Sequence, residues 1–74
     1  MRQDDQAVAH QRKIGSAIRR ERTRLGLSQE RLAELSHLNP RSIQRIEAGE
    51  IGLLSTTLIR IQKALGSSWK DLLP

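Results

Sequence analysis

The dipeptide formed by Asn39 and Pro40 divides the middle of the chain and constrains its fold more than any other feature. Asparagine is a preferred N-cap, and proline suits the first helical position because the N–H that it lacks would have no partner there. Ser28 is a second N-cap signal, and Gly26 and Gly49 are typical helix ends. These signals predict two short consecutive helices joined by about four residues.

Apolar residues repeat at helical spacing along the chain, which predicts an all-α protein of five short helices. The apolar faces of the first and fourth helices consist of Ile14, Ala17, Ile18 and Leu25, and of Leu58, Ile61, Ala64 and Leu65. We expect Leu32 and Leu35 to form the buried side of the second helix. Ser55 or Thr56 should cap the fourth helix, and Ser68 should open the fifth.

The charge of the chain limits the class of partner. Its 74 residues include 13 Lys and Arg against 8 Asp and Glu, a formal charge of +5. So short a chain forms one small domain without a deep catalytic cleft. The positive charge favours a polyanion or a negatively charged surface, but does not choose among DNA, RNA and membrane.

Several kinds of site and segment are not expected. The chain has no cysteine, and two histidines, His10 and His37, are too few for a metal site, so no metal or cofactor is expected. No apolar run approaches the roughly 18 residues of a membrane span, and the polar start does not resemble a signal peptide. The expected location is cytoplasmic, with no membrane partner.

The first thirteen residues differ from the rest, because they are polar and contain no large apolar side chain except Val8. They are either a frayed N-terminal arm or an extension of the first helix. The sequence thus divides into this segment, residues 1–13, and a helical domain over residues 14–74.

Residues 29–47, QERLAELSHLNPRSIQRIE, resemble the helix-turn-helix of the Cro and phage-repressor family, also called the xenobiotic-response-element family of bacterial regulators. The flanking segments IGSAIRRERTRLGLSQERLAELS and TTLIRIQKALGSSWKDLL resemble the first two and the last two helices of that family. The resemblance covers about residues 14–73 and implies a compact five-helix, lambda-repressor-like DNA-binding domain. His37 departs from it, since the family usually has glycine at this turn, but histidine tolerates positive φ better than most residues.

The end of the third helix combines apolar and charged residues. We expect Ile43 and Ile46 to pack in the core, and the helical period places Glu47 beside Ile43. In the family, an arginine near the end of the first helix pairs with the acid at the end of the third. The resemblance therefore implies a structural ion pair between Arg22 and Glu47, the alternative being two separate solvated charges.

The opposite face of the third helix carries Arg41, Gln44 and Arg45, with Ser42 at its rim. A solvated charged face is the ordinary explanation of such a stripe, but on the second member of a helix-turn-helix it predicts base reading in the DNA major groove. Arginine can donate two hydrogen bonds to guanine, and glutamine can pair with adenine. Arginine can equally bind phosphate, so which arginine reads a base stays open.

Phosphate contacts are expected at helix N-termini, where unpaired N–H groups and the helix dipole favour anions. The resemblance places Gln29 where the family's glutamine commonly holds the DNA backbone. Ser28 and Asn39 can add contacts, although a role as helix caps explains them equally well and is compatible with phosphate binding. Glu50, in the loop after the third helix, would repel phosphate.

Apolar residues beyond the needs of the core suggest a homodimer. In family members that dimerise, the loop before the fourth helix and the fifth helix form the two-fold contact, which here implies Leu53, Leu54, Trp69, Leu72 and Leu73. Core packing is the alternative for Trp69. A two-fold dimer implies a palindromic operator on double-stranded DNA, with half-sites about 34 Å apart.

The sequence therefore predicts a sequence-specific DNA-binding regulator of transcription, acting as a repressor or as both repressor and activator. Controller proteins of restriction-modification systems are small family members of this form. The rival function is an antitoxin-type interaction module with a protein partner and only secondary DNA binding. An enzyme is not expected, because no nucleophile, base and oxyanion donor cluster together, and RNA reading is disfavoured because one aromatic residue offers little base stacking.

Overall fold

The computed structural model describes the backbone of residues 3–73 and the side chains of residues 6–73. This part of the chain is helical and contains no strand, which confirms the predicted all-α fold. The five helices are α1 Gln3–Arg24, α2 Gln29–Ser36, α3 Pro40–Glu47, α4 Ser55–Leu65 and α5 Trp69–Leu72. Residues 3–13 are continuous with the rest of α1.

The predicted caps of α2 and α3 are present. The Ser28 hydroxyl accepts the backbone N–H of Arg31 at 3.0 Å, and the Asn39 side chain accepts that of Arg41 at 2.8 Å. Each bond satisfies one of the N–H groups that a helix start leaves unpaired. These hydrogen bonds thus fix the N-terminal ends of α2 and α3.

The predicted capping of α4 by Ser55 or Thr56 was wrong. Leu54 is the N-cap residue, with extended backbone and no capping side-chain hydrogen bond. Its carbonyl accepts the N–H of Leu58 at 3.0 Å, so the helical ladder begins one residue before the predicted caps. The helix forms here without a polar cap because its inner face is held by packing.

The core lies where α1, α2, α3 and α4 meet, and α5 closes one end. Eight side chains form it: Ile18, Leu32, Ala33, Ile43, Ile46, Ile61, Leu65 and Leu72. Two leucines that were expected inside are exposed instead. Leu25 falls after the last residue of α1, and Leu35 lies at the edge of an α2 face whose buried members are Leu32, Ala33 and Ser36.

Helix α1 crosses the end of α3 at a glycine that the sequence patterns did not single out. A Cβ added at Gly15 would overlap the carbonyl oxygen of Ile46 and lie 3.1 Å from that of Glu47. The two backbones are therefore in direct contact, which only glycine permits. This crossing sets the position of α3 relative to the rest of the molecule.

A polar cluster joins α1 to the turn between α4 and α5. The Ser67 hydroxyl donates to the buried carboxylate of Glu21 at 2.9 Å, and Arg24 donates to the same oxygen at 3.1 Å. The Ser67 hydrogen bond holds the pKa of Glu21 below its ordinary value, against the opposing effect of burial and with help from Arg24. The Arg20 guanidinium also donates to the backbone carbonyl of Asp71 at 2.6 Å.

Candidate nucleic-acid interface

The two faces of α3 have opposite character. Ile43 and Ile46 are buried in the core, whereas Arg41, Gln44 and Arg45 are exposed on the other side. We call these three exposed residues the outer stripe. Ser42, the fourth predicted base-reading residue, is half-buried at the rim of the stripe. The inner face anchors the helix, and the outer stripe is free to contact a partner.

The end of α3 is tied to α1 by a two-pronged ion pair. Arg22 donates from Nε to one Glu47 oxygen at 2.7 Å and from Nη2 to the other at 3.0 Å. The Glu47 side chain is only 3% exposed and that of Arg22 11%. Such a planar, bidentate arrangement fixes orientation as well as distance.

The same Arg22 side chain reaches a second element. Its Nη1 donates to the carbonyl of Leu27 at 2.8 Å, just before α2 begins. The paired carboxylate of Glu47 holds the pKa of Arg22 above its ordinary value, although burial acts in the opposite direction. Arg22 is therefore a charged link among α1, the loop after it and α3.

Gln29 completes this network, and the sequence did not predict its contact. Its Nε2 donates to Glu47 Oε1 at 3.1 Å, so the first residue of α2 is joined to the last residue of α3. The sequence offered one signal for this contact. Glu47 was expected beside the buried Ile43, and a buried carboxylate requires several hydrogen-bond donors. A glutamine amide has two N–H donors, so a second remains for another acceptor.

The other two predicted phosphate-binding residues stand at helix starts. Ser28 and Asn39 are exposed, and each is the N-cap of a helix of eight residues. Their side-chain oxygens accept backbone N–H groups, as described above. The N-termini of α2 and α3 thus present oriented backbone and side-chain groups, with the start of α3 beside Arg41 and the start of α2 joined to Glu47.

The turn between α2 and α3 depends on His37. This residue adopts the left-handed conformation, with φ 57° and ψ 44°, where the family usually has glycine. The backbone then reverses so that the N–H of Leu38 reaches the carbonyl of Ala33 at 2.8 Å. The Cβ of His37 strains the turn in this conformation but does not prevent it, and the residue is exposed.

One member of the outer stripe has a weak ionic partner. Arg45 Nε lies 3.8 Å from Glu50 Oε2, with side chains 50% and 61% exposed. An exposed pair of this kind contributes at most about 1 kcal/mol. Arg45 can therefore leave Glu50 for a stronger acceptor at small cost.

The five residues predicted for a dimer contact fall into two groups. Leu54 is 73% exposed, Trp69 and Leu73 are also exposed, and Leu53 is half-buried against the core. Leu72 is the correction to this set. It is 1% exposed within a single chain, because α5 turns it into the core beneath α1, so it has no surface to offer a partner.

The described residues contain neither a membrane-spanning helix nor a cluster of metal-binding side chains. None of the helices in residues 3–73 combines the length and the apolar character needed to cross a membrane. Within the same residues, no three His, Cys, Asp or Glu side chains come together in a way that could hold a metal ion.

Solved structures resemble the chain over most of its length. The restriction-modification controller protein C.AhdI from Aeromonas hydrophila is 32% identical, with a TM-score of 0.83, over 88% of this chain and 98% of that one. The clp gene regulator ClgR from Corynebacterium glutamicum is 31% identical, with a TM-score of 0.80, over 84% of this chain and 66% of that one. In a second structure of ClgR the match covers 80% of that chain.

Of two sequence comparisons, one supports this likeness. No curated protein sequence gave a significant match. A helix-turn-helix family model, however, matches residues 18–72, which include all of α2, α3, α4 and α5. The chain therefore belongs to the helix-turn-helix family, in its Cro and phage-repressor form.

Proposed function

We propose that this protein is a sequence-specific DNA-binding regulator of transcription that reads the major groove with α3. The observation that carries the proposal is the outer stripe of α3, which stands opposite two buried isoleucines on a helix fixed at both ends. C.AhdI is a controller protein and ClgR is a gene regulator, and both resemble this chain over most of its length.

The chemistry of the outer stripe suits base edges. The major groove admits one α-helix and displays different hydrogen-bonding groups for each base pair. Arg41 and Arg45 can each donate two hydrogen bonds to a guanine, and Gln44 can pair with an adenine. Ser42, at the rim, would contact phosphate or a thymine edge.

Phosphate binding would come from the helix starts beside the stripe. Ser28 and Asn39 are exposed there, and Gln29 retains one N–H that Glu47 does not use. These contacts would set the register of the protein on the duplex and carry no sequence information directly. Repression, alone or combined with activation, is the regulatory outcome that we propose.

Selection from random double-stranded oligonucleotides tests base reading. The wild type should enrich one motif, and Arg41→Ala or Arg45→Ala should lose preference at one position of it, by about 1–3 kcal/mol per base pair. Arg60→Ala is the matched control, because it removes the same charge from an exposed site on α4. The control should keep the motif and weaken binding to all sequences by a similar factor.

The contrary outcomes are distinct. If Arg41→Ala and Arg45→Ala both weaken binding uniformly, the two arginines bind phosphate and base reading by the stripe is wrong. If the wild type enriches no motif while a protein co-purifies with it, the function is that of an interaction module instead.

We also propose that the regulator is a homodimer in the cytoplasm and that it binds a palindromic operator. The exposed Leu54, Trp69 and Leu73, with Leu53 beside them, supply the apolar surface. A two-fold axis through this surface would place two copies of α3 about 34 Å apart, one turn of the double helix.

Sedimentation velocity tests the dimer, and Trp69, the only tryptophan, is a second reporter. Dilution should convert dimer to monomer and shift the Trp69 fluorescence to longer wavelength. Leu54→Ser should raise the dissociation constant at least tenfold, whereas Leu25→Ser, which changes another exposed leucine, should leave it unchanged. A wild type that stays monomeric at tens of micromolar would rule out the dimer.

A further inference from the structure

An open groove of about 440 Å³ lies between α1 and α5, away from the outer stripe. We call it the α1–α5 groove. Four cationic side chains line it: Arg12, Lys13, Arg20 and Lys70. Among the described residues, Asp71 is the only acid in its lining, and Arg20 also lies 3.6 Å from the Glu21 carboxylate, so the net charge of the groove is positive. Ala17 and Leu72 give it an apolar floor.

The groove is on the side of α1 that faces away from α3. Gly15 and Arg22 mark the side of α1 in contact with α3. At about 100° per residue, Lys13, Ala17 and Arg20 lie roughly 140–200° around the helix from Gly15. Arg12, at about 60°, packs against Gly49 just after α3 and lines the groove only at its edge. A duplex seated on the outer stripe is therefore separated from the groove by the body of the protein.

Part of the groove is held in a fixed form. Arg20 donates to the backbone carbonyl of Asp71 at 2.6 Å, which joins the two walls. The carboxylate of Asp71 accepts the Ser68 hydroxyl at 2.9 Å and remains exposed. Because Leu72 is anchored in the core, α5 cannot swing away from α1 without loss of packing.

We propose that the α1–α5 groove binds an acidic peptide segment of another protein, one that carries Asp or Glu side chains and at least one apolar residue. Four cations against one carboxylate match the acidic side chains, and the apolar floor matches the apolar residue. This binding does not depend on what α3 reads, and it leaves the outer stripe free.

The exposed carboxylate favours a peptide over a nucleic acid. Asp71 can accept backbone N–H groups of a bound peptide, whereas it would repel a phosphate diester. The groove lining contains no aromatic side chain on which a base could stack. A phosphate backbone would match the cations but neither the carboxylate nor the apolar floor.

Amide NMR spectra of the isotope-labelled full chain provide the test. The probe is a short peptide of Glu, Asp and Leu, compared with the same peptide in which Gln and Asn replace the acids. The acidic probe should shift resonances of α1 and α5 around the groove and leave those of the outer stripe unchanged. The neutral probe should shift neither.

Two double variants locate the binding. Lys13→Gln with Lys70→Gln should weaken binding of the acidic probe roughly fivefold, as expected for loss of two exposed ion pairs. Arg60→Gln with Lys63→Gln removes the same charge from exposed sites on α4 and should have little effect. All four residues are exposed, so both variants should fold.

Five results would overturn the proposal. The acidic probe could fail to bind, or shift the outer stripe as strongly as the groove, or respond equally to the two double variants. Duplex DNA or inorganic polyphosphate could shift the groove resonances more strongly than the peptide, which would make the groove a phosphate site. Leu73 at the edge of the groove belongs to the proposed dimer surface, so dimer formation alone can shift α5; concentration-dependent shifts of Lys13 and Arg20 on α1 without probe would show that a second copy closes the groove, and would exclude a peptide as well.

Discussion

At the scale of single residues, Glu47 is the one whose contacts tie several helices together. It ends α3, is 8% exposed as a whole residue, and accepts hydrogen bonds from Arg22 and Gln29. Those donors belong to α1 and α2, so one carboxylate joins both helices to α3, which carries the outer stripe. The helical period already indicated that this acid would not be on the outer face.

We predict that Glu47→Ala lowers the free energy of unfolding by roughly 3 kcal/mol, because it leaves the largely buried guanidinium of Arg22 without its carboxylate. Urea denaturation followed by circular dichroism measures this. Glu50→Ala is the control, since it removes a carboxylate from an exposed pair, and it should cost less than about 1 kcal/mol. Equal losses in the two variants would show that burial of the Arg22–Glu47 pair has no special effect on stability.

At the scale of elements, the turn between α2 and α3 is the least favourable connection. His37 has positive φ and a side chain, whereas Gly26, Gly49 and Gly66 occupy the other positive-φ positions among the described residues. A left-handed conformation costs an ordinary residue about 1–2 kcal/mol. The helix-turn-helix therefore contains stored backbone strain at its centre.

Replacement of this histidine should stabilise the protein. We predict that His37→Gly raises the free energy of unfolding by roughly 0.5–1 kcal/mol, the relief of strain being partly offset by the greater freedom of glycine in the unfolded chain. Thermal unfolding measures the change. Gly66→Ala is the opposite change and serves as the control. An added Cβ there meets no atom within 4 Å, so the expected decrease of about 1 kcal/mol in the free energy of unfolding reports backbone strain alone. If His37→Gly destabilises, the imidazole makes a contact that outweighs the strain.

Local signals explain how much of the helical framework was predictable. Ser28 and Asn39 specify helix starts through hydrogen bonds within three residues of themselves, and Pro40 does so through its fixed φ, so no knowledge of the tertiary structure is needed. The start of α4 could not be predicted in this way, because packing rather than a polar cap holds it there. Leu35 was misplaced since α2 is too short for its period to show which edge meets the core.

The candidate site was predictable to a similar degree. The outer stripe follows from the helical period of α3, and the Arg22–Glu47 contact followed from a family resemblance. The close approach at Gly15 and the hydrogen bond from Gln29 to Glu47 could not be predicted, because the partners Ile46 and Glu47 are distant in the sequence and only the fold brings them together. Leu72 was misassigned for a related reason: four-residue α5 carries too little periodicity to separate an inner face from an outer one.

At the scale of the whole molecule, Glu21 joins the first helix to the last turn. Ser67 and Arg24 donate to its carboxylate, and the folded protein therefore favours the ionised form. A glutamate whose pKa is lowered by folding stabilises the protein above its unfolded pKa, and that stability is lost as the pH falls through the folded value. Acid should thus loosen the attachment of α5 to α1.

The pH dependence of stability follows with a definite sign. We predict that the free energy of unfolding of the wild type falls as the pH drops below about 4.5, the ordinary pKa of glutamate, and that Glu21→Gln falls less steeply over the same range. Urea denaturation at a series of pH values measures both slopes. Glu34→Gln, which removes an exposed carboxyl on α2, is the comparison. A Glu21→Gln slope as steep as that of the wild type would show that this carboxylate makes no contribution to acid sensitivity.

The contact at Gly15 has a mechanical meaning for the whole protein. The backbones of α1 and α3 are in contact at Gly15 because this residue has no Cβ. The lack of that one atom therefore determines how far the arginines of α3 project from the rest of the protein. Even alanine at Gly15 would push α3 away from α1 and tilt it. Such a tilt would change both the stability of the fold and the depth at which the side chains of α3 enter the major groove. Substitution of Gly15 is therefore not tolerated, because both folding and DNA recognition depend on this one contact.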